Sequence, residues 1–260
     1  MTKALILAAG QGTRLRPITH DKPKCLVPLM GTSLLERQTS VLQQAGIQEV
    51  HIATGYKADQ IEALGFATTF NPRYAHTNMV ESLFSAIDFL KACDEDLIIG
   101  YGDIVYQGDN LQKLLDSDDE ISLMIDSHWR ALWSLRLDNP LDDAETFLMD
   151  SAKYVLELGK KPQSFDEIQG QYTGLIKIRA DKIPDLIHFY QTLDDQVLYD
   201  GQPFDNMYMT TLIQLLIEAD WKVKAVLVQN GWLEVDSTDD LACYERLAHS
   251  GELNGFYRCA

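Results

Sequence analysis

The sequence is poor in positive charge. Its 22 Lys and Arg stand against 39 Asp and Glu in 260 residues, a formal net charge of -17. A nucleic-acid binder needs a basic face against the phosphates, so this composition argues against that class and against an anionic membrane surface as partner. The four cysteines (Cys25, Cys93, Cys243, Cys259) form no CxxC pair and join no histidine at zinc spacing, so reduced thiols are expected. His20, His51, His76, His128, His188 and His249 are scattered and suggest no catalytic histidine. No apolar run approaches the roughly 20 residues of a membrane span. The run Ala4 to Ala9 is too short for a secretion signal, so a cytoplasmic, unprocessed protein is expected. Repeats, low-complexity stretches and linkers are missing too, which favours one domain over residues 1–260.

What is present alternates. Ala4 to Ala9 is short, continuous and apolar, as a buried parallel strand requires. Helices are predicted over 32–46, 58–64 and 82–92, and strands over 49–54, 67–70 and 96–100. That order implies βαβ units and a parallel sheet covered on both faces. From 121 to 180 the segments ISLMID, WSLRLD, TFLMD, YVLELG and GLIKIRA read as shorter strands of a mixed region packed onto the first sheet. Helices over 182–193, 205–219 and 239–248 and a strand over 222–228 complete an α/β chain with a Rossmann-like, mixed but mostly parallel central sheet flanked by helices.

The first strand runs into Gly10-Gln11-Gly12-Thr13-Arg14, whose glycines let backbone amides approach a phosphate chain. Walker A spacing is lacking, and Leu15 stands where G-x-G-x-x-G needs its third glycine, so neither a P-loop nor a Rossmann dehydrogenase fits. Arg14 and Lys24 bracket the loop. Nucleotidyl transfer needs fixed cations against phosphate oxygens, although a glycine turn with two solvated basic residues would look the same. Asp103 and Asp236 each follow an extended apolar segment. Carboxylates at the ends of strands in an open sheet lie where ligands bind, and two of them suit one Mg²⁺ that also takes phosphate oxygens. Either one alone reads more readily as a turn or cap aspartate.

The run Leu7-Ala8-Ala9-Gly10-Gln11-Gly12-Thr13-Arg14-Leu15, then Lys22-Pro23-Lys24 and Leu26-Val27-Pro28, resembles the signature of the nucleotidyltransferases that activate sugar phosphates and phosphocholine. The resemblance extends to Gly102-Asp103 and to Trp232-x-Glu234-x-Asp236. It implies a nucleotide-diphospho-sugar transferase fold, with a nucleotide-binding half (1–125) and an acceptor-binding half (126–240). Leu7, Ala8, Ala9, Gly10, Gln11, Gly12, Thr13, Arg14, Tyr101 and Gly102 would hold the nucleotide. Lys24 and Arg14 would be catalytic, and Asp103 and Asp236 would bind Mg²⁺.

Asn71-Pro72-x-Tyr74, Thr77-Asn78, Glu81-Ser82-Leu83, Asp143-Ala144-Glu145, Leu158-Gly159-Lys160-Lys161 and Tyr172-Thr173-Gly174-Leu175 are similar to the bacterial choline-phosphate cytidylyltransferases and their phosphonate-using relatives. That likeness implies CTP as donor and a small phosphorylated amino alcohol as acceptor: phosphocholine, phosphoethanolamine or aminoethylphosphonate. Asn78, Glu81, Trp133, Arg136, Lys160, Tyr172, Gly174, Trp232 and Glu234 would bind it, Lys160 or Lys161 at the phosphate. Trp129, Trp133, Tyr172 and Trp232, with Asp126, Asp205 or Glu234, are candidates for an aromatic cage around a quaternary ammonium, though such aromatics also serve as core. A monomer or homodimer is expected. The rivals are a sugar-1-phosphate uridylyl- or thymidylyltransferase and a silent nucleotide sensor, which should have lost Arg14, Lys24 or an aspartate.

Overall fold

Thr2–Ala8 (β1) sends alternate side chains to two sides: Ala4, Ile6 and Ala8 into one core, Leu5 and Leu7 into another. A strand buried on both faces needs this continuous apolar run, because each face meets its own layer of helices. The computed structural model describes residues 2–258. Cys259 lies outside them; Cys25, Cys93 and Cys243 are buried free thiols.

The other principal strands are Val50–Thr54 (β2), Ala67–Phe70 (β3), Asp96–Tyr101 (β4), Ile104–Tyr106 (β5), Ile121–Asp126 (β6), Gln171–Ile178 (β7), Val223–Val228 (β8) and Trp232–Glu234 (β9). Seven form one sheet in the order β8-β6-β7-β4-β1-β2-β3. β7 pairs antiparallel with both β4 and β6, and every other pairing in this sheet is parallel. β5 and β9 pair antiparallel in a small ribbon beside it.

Helices Leu34–Gln44 (α1), Gly108–Leu115 (α5), Trp129–Arg136 (α6) and Thr238–Ser250 (α9) pack on one face. Met79–Ser85 (α3), Ile87–Lys91 (α4), Ile183–Thr192 (α7) and Met209–Glu218 (α8) pack on the other. The short Ala58–Glu62 (α2) joins β2 to β3. No helix among the described residues is long and apolar enough to cross a membrane.

Three expectations are corrected. WSLRLD is not a strand: residues up to Arg136 belong to α6, where Trp129, Leu132 and Trp133 fall on one buried side at helical spacing. The helix expected over 82–92 begins three residues earlier, where the Asn78 side chain caps it, and breaks at Ala86. The mixed region does not stack on the first sheet. β6, β7 and β8 extend it, while the excursion 127–170 carries α6 and a hairpin of Phe147–Met149 with Val155–Leu158.

The chain builds β1, β2 and β3 outward in one direction, then crosses back to lay β4 on the other side of β1. The carboxyl ends of β1 and β4 therefore flank a topological switch point, the crevice where open α/β sheets bind ligands.

Candidate active site

The segments that leave β1 and β4 touch. Gly102 donates its N–H to the Leu7 carbonyl at 2.9 Å, and a Cβ there would lie 2.9 Å from that same oxygen. Only glycine lets these segments approach so closely. Gly12, at φ +61°, serves another purpose: a Cβ on it would meet Lys24 Cβ at 2.9 Å, so its bareness lets the lysine stem pass. Thr19 fixes this turn by donating its hydroxyl to the Gly12 carbonyl at 2.7 Å.

Lys24 ends between two carboxylates, Nζ at 2.6 Å from Asp103 and 2.5 Å from Asp236. The β5–β9 ribbon makes this possible, aided by the Val235 N–H bonding the Asp103 carbonyl at 3.0 Å. Arg14, two-thirds exposed, reaches the second oxygen of Asp236 at 2.5 Å. Burial works against the Lys24 charge, but Asp103, Asp236 and Glu234 outweigh it and hold its pKa above the ordinary lysine value. Asp103, Glu234 and Asp236 each offer one oxygen, all within 4.8 Å of one another. Burial, together with the charges of Asp236 and Asp103, raises the Glu234 carboxyl despite Arg136. Asp103 Oδ1 is buried and makes no hydrogen bond. Three hard oxygen donors, one without a partner, fit a magnesium ion.

Arg136 lies behind these carboxylates. Its side chain is 4% exposed and bonds Glu234 at 3.0 Å and Asp240 at 2.8 Å. Asp240 in turn accepts the backbone N–H groups of Asp236 and Ser237 at 3.0 and 2.9 Å, and the Ser237 hydroxyl caps α9 through the Asp240 N–H.

Two cavities open on either side of the Lys24–Asp236 contact. The first, about 130 Å³, is lined by Leu7, Ala8, Ala9, Gly10, Lys24, Tyr101, Gly102 and Asp103, with Tyr74, Thr77, Asn78, Met79 and Ser82 opposite. The second, about 190 Å³, is lined by Trp133, Tyr172, Gly174, Trp232, Glu234 and Asp236, and also by Asp143, Glu145, Gln171, Thr173, Tyr208 and Thr210. Met79 and Tyr101 belong to both and form the wall between them.

Of the residues singled out in the sequence, Gln11, Gly12, Thr13 and Arg14 line neither cavity, although Arg14 and Gly12 contact the cluster from outside. Asn78 borders the first cavity rather than the second. Glu81 lies outside both, tied to Arg73 at 2.5 Å and to the Tyr190 hydroxyl. Arg136 supports the site without lining it. Lys160 turns outward to Glu157 at 3.1 Å, and Lys161 binds the carbonyls of Leu141 and Asp142.

Asp126 and Trp129 are structural. Asp126 accepts the Trp232 indole N–H at 2.9 Å, and Trp129 packs against Trp133 and Phe165. Asp205 pairs with Arg73 at 2.6 Å. Met79, Gln171, Tyr208 and Thr210 carried no signal in the sequence: each is a single residue at a strand or helix start.

Residues 4–133 match the MobA-like NTP transferase domain. The chain is 42% identical over 248 residues to the CTP:phosphoglutamine cytidylyltransferase of Campylobacter jejuni, covering 92% of this chain and 97% of that one. It is 43% identical over 86 residues to the choline-phosphate cytidylyltransferase of Streptococcus pneumoniae, covering 32% of this chain and 38% of that one. The solved inositol-1-phosphate CTP transferase of T. maritima superposes with a TM-score of 0.73 at 20% identity, covering 100% of this chain and 98% of the other.

Proposed function

The chain belongs to the MobA-like NTP transferase family, and on that premise we propose that it is a magnesium-dependent cytidylyltransferase, joining CTP to a small phosphorylated acceptor that carries an amine and releasing pyrophosphate. One observation carries the chemistry: Lys24 held between Asp103 and Asp236 at the switch point, in the partition between two cavities. The first cavity takes the nucleotide and the second the acceptor, which divides the labour between the two halves of the chain.

CTP rests on the relative that matches nearly the whole chain and is named for it. The amine rests on the second cavity, whose lining includes Asp143 and Glu145 and no lysine or arginine.

An oxygen of the acceptor's phosphate attacks the α-phosphorus of CTP, and the bond to the departing pyrophosphate breaks in line. Such an oxygen is already ionised near neutral pH, so no general base is required. Lys24 has three N–H donors, two of them directed at Asp103 and Asp236, and the third is available to an α-phosphate oxygen. Arg14, two-thirds exposed and bonded to Asp236, would stabilise the charge of the leaving pyrophosphate. The backbone at Ala8, Ala9 and Gly10 cradles the phosphates. Asp103 and Asp236, with Glu234 beside them, would hold Mg²⁺, which supplies charge neutralisation across the phosphates when bound. Arg136 and Asp240 keep those carboxylates in register.

The test is pyrophosphate release with Mg²⁺, pairing CTP, UTP, dTTP, ATP and GTP with phosphoglutamine, phosphocholine, phosphoethanolamine, aminoethylphosphonate and glucose 1-phosphate. Release confined to CTP with an amine-bearing acceptor, and lost in Lys24→Ala, is the expected result. Turnover with glucose 1-phosphate and UTP or dTTP would overturn the reading of donor and acceptor.

A further inference from the structure

The wall of the first cavity opposite the phosphate loop is the segment 71–79, and it is held from within. Asn71 is fully buried; it accepts the Arg73 N–H at 2.9 Å and donates to the hydroxyls of Thr77 and Ser82 at 3.1 and 3.2 Å. The Asn78 side chain caps α3, and Tyr74 packs where a Cβ on Gly55 would meet it at 2.5 Å. None of these contacts uses the Arg73 guanidinium.

That guanidinium spends its bonds elsewhere. It reaches Glu81 on α3 at 2.5 Å and grips Asp205 with two nitrogens, at 2.6 and 3.3 Å. Asp205 belongs to the turn Phe204–Asn206, whose backbone takes a further bond from the same wall: the Asn78 N–H donates to the Asp205 carbonyl at 3.1 Å. Phe204 stacks on Tyr190 at 5.0 Å, and Tyr190 donates its hydroxyl to Glu81. Directly after the turn come the buried Met207 and then Tyr208, Met209 and Thr210, which line the second cavity. A residue beside one cavity, lining neither, thus holds the turn that leads into the lining of the other.

Magnitudes separate this device from a stabilising salt bridge. The Arg73 side chain is 50% exposed and that of Asp205 43%, and ion pairs so open to water add little to stability. Placement of reacting groups is less forgiving: a shift of about 1 Å can cost about 10²-fold in rate.

Building on the reading of the two cavities as nucleotide and acceptor sites, we propose that Arg73 is a positioning residue for the acceptor. Through Asp205 it fixes Tyr208, Met209 and Thr210 against the wall that holds the nucleotide, so that the acceptor's phosphate is presented to the α-phosphorus.

The experiment compares the intact protein with Arg73→Ala, Asp205→Ala and the double variant. Steady-state kinetics with CTP and Mg²⁺ give KM and kcat for phosphoglutamine and phosphocholine. Calorimetric titration gives the affinity for CTP alone, and hydrogen exchange read by mass spectrometry follows the backbone. Each single variant is expected to lower kcat/KM for both acceptors about five- to tenfold, and the double variant no further, because the two residues act as one pair. Affinity for CTP should stay as it is, and the melting temperature should move by no more than about 2 °C. Amides over 203–211 should exchange faster in Arg73→Ala, while those over 79–85 do not. Asp205→Ala carries the test if the Arg73 variant folds poorly. Weaker CTP binding with unchanged acceptor kinetics, additive losses in the double variant, or a loss matched by a fall in melting temperature would overturn the proposal. If CTP gives no product with either acceptor, the cytidylyltransferase reading falls and hydrogen exchange decides this one: faster exchange confined to 203–211 sustains it, and unchanged exchange overturns it.

Discussion

Arg136 grips Asp240 with two nitrogens, Nε at 2.8 Å and Nη2 at 3.3 Å, and through Asp240 it fixes the backbone of Asp236. The same guanidinium holds Glu234. Burial opposes the charge on Asp240, but Arg136 and the surrounding N–H groups prevail and keep its pKa below the usual aspartate value. One buried cation thus organises the acidic cluster from behind.

Replacing Arg136 by alanine strands two acidic groups in the interior. Breaking a buried pair by removing one partner costs about 3–5 kcal/mol. The midpoint of urea unfolding should fall accordingly. Arg136→Lys should not restore it, because a point charge cannot grip Asp240 through two nitrogens and reach Glu234 at once.

Lys24→Ala should lower kcat by about 10²- to 10³-fold, the usual cost of losing one fixed charge stabiliser. It should also change the response to magnesium. Without the ammonium, Asp103, Glu234 and Asp236 face one another uncompensated. Added Mg²⁺ should therefore raise the melting temperature of the variant by more than that of the unmodified protein. Equal shifts would count against these carboxylates as the metal site.

Gly174 sits in β7 at φ +83°, and a Cβ there would come within 2.6 Å of the Tyr101 ring. Gly174→Ala combines an unfavourable backbone with overpacking and should cost roughly 2–4 kcal/mol. Because Tyr101 walls both cavities, the KM values for nucleotide and acceptor should rise together, as steady-state kinetics would show.

Burial and the nearby Asp143 charge push the Glu145 carboxyl up to about 7. The phenols of Tyr101 on β4 and Tyr172 on β7 face it as well. The raised value favours the protonated acid below neutrality and the carboxylate above it. An ammonium pairs only with the carboxylate, so KM for an amine-bearing acceptor should fall about tenfold between roughly pH 6 and pH 8. In Glu145→Gln that component of the profile should be flat, the titration of the acceptor's own phosphate remaining as background.

The lining of the first cavity was the more legible in the sequence because a buried parallel strand and the loop after it are contiguous. Leu7 to Gly10 line the first cavity, as do Tyr101 at the end of β4 and Gly102 and Asp103 after it. That Asp103 meets Asp236 came from the family resemblance, since the ribbon joining them pairs segments far apart in the chain. The second cavity is assembled from single residues: Gln171 at the start of β7, Thr210 at the start of α8, Glu145 in an excursion. No period or spacing marks them. Lys160 lines neither cavity for a related reason. Gly159 turns at φ +86° against Thr210, and the lysine that follows is carried out to Glu157. Alternation in WSLRLD suggested a strand because Trp133, Leu135 and Leu137 satisfy a period of two; the buried set Trp129, Leu132 and Trp133 obeys the helical one instead.

β7 alone runs against the other strands of the seven-stranded sheet, so it meets the crevice with its beginning rather than its end. The excursion 127–170 therefore leaves from the working edge after β6 and returns to that same edge. It is a cassette with both joints at the rim: a change of length inside it leaves the pairings of β7 with β4 and β6 untouched.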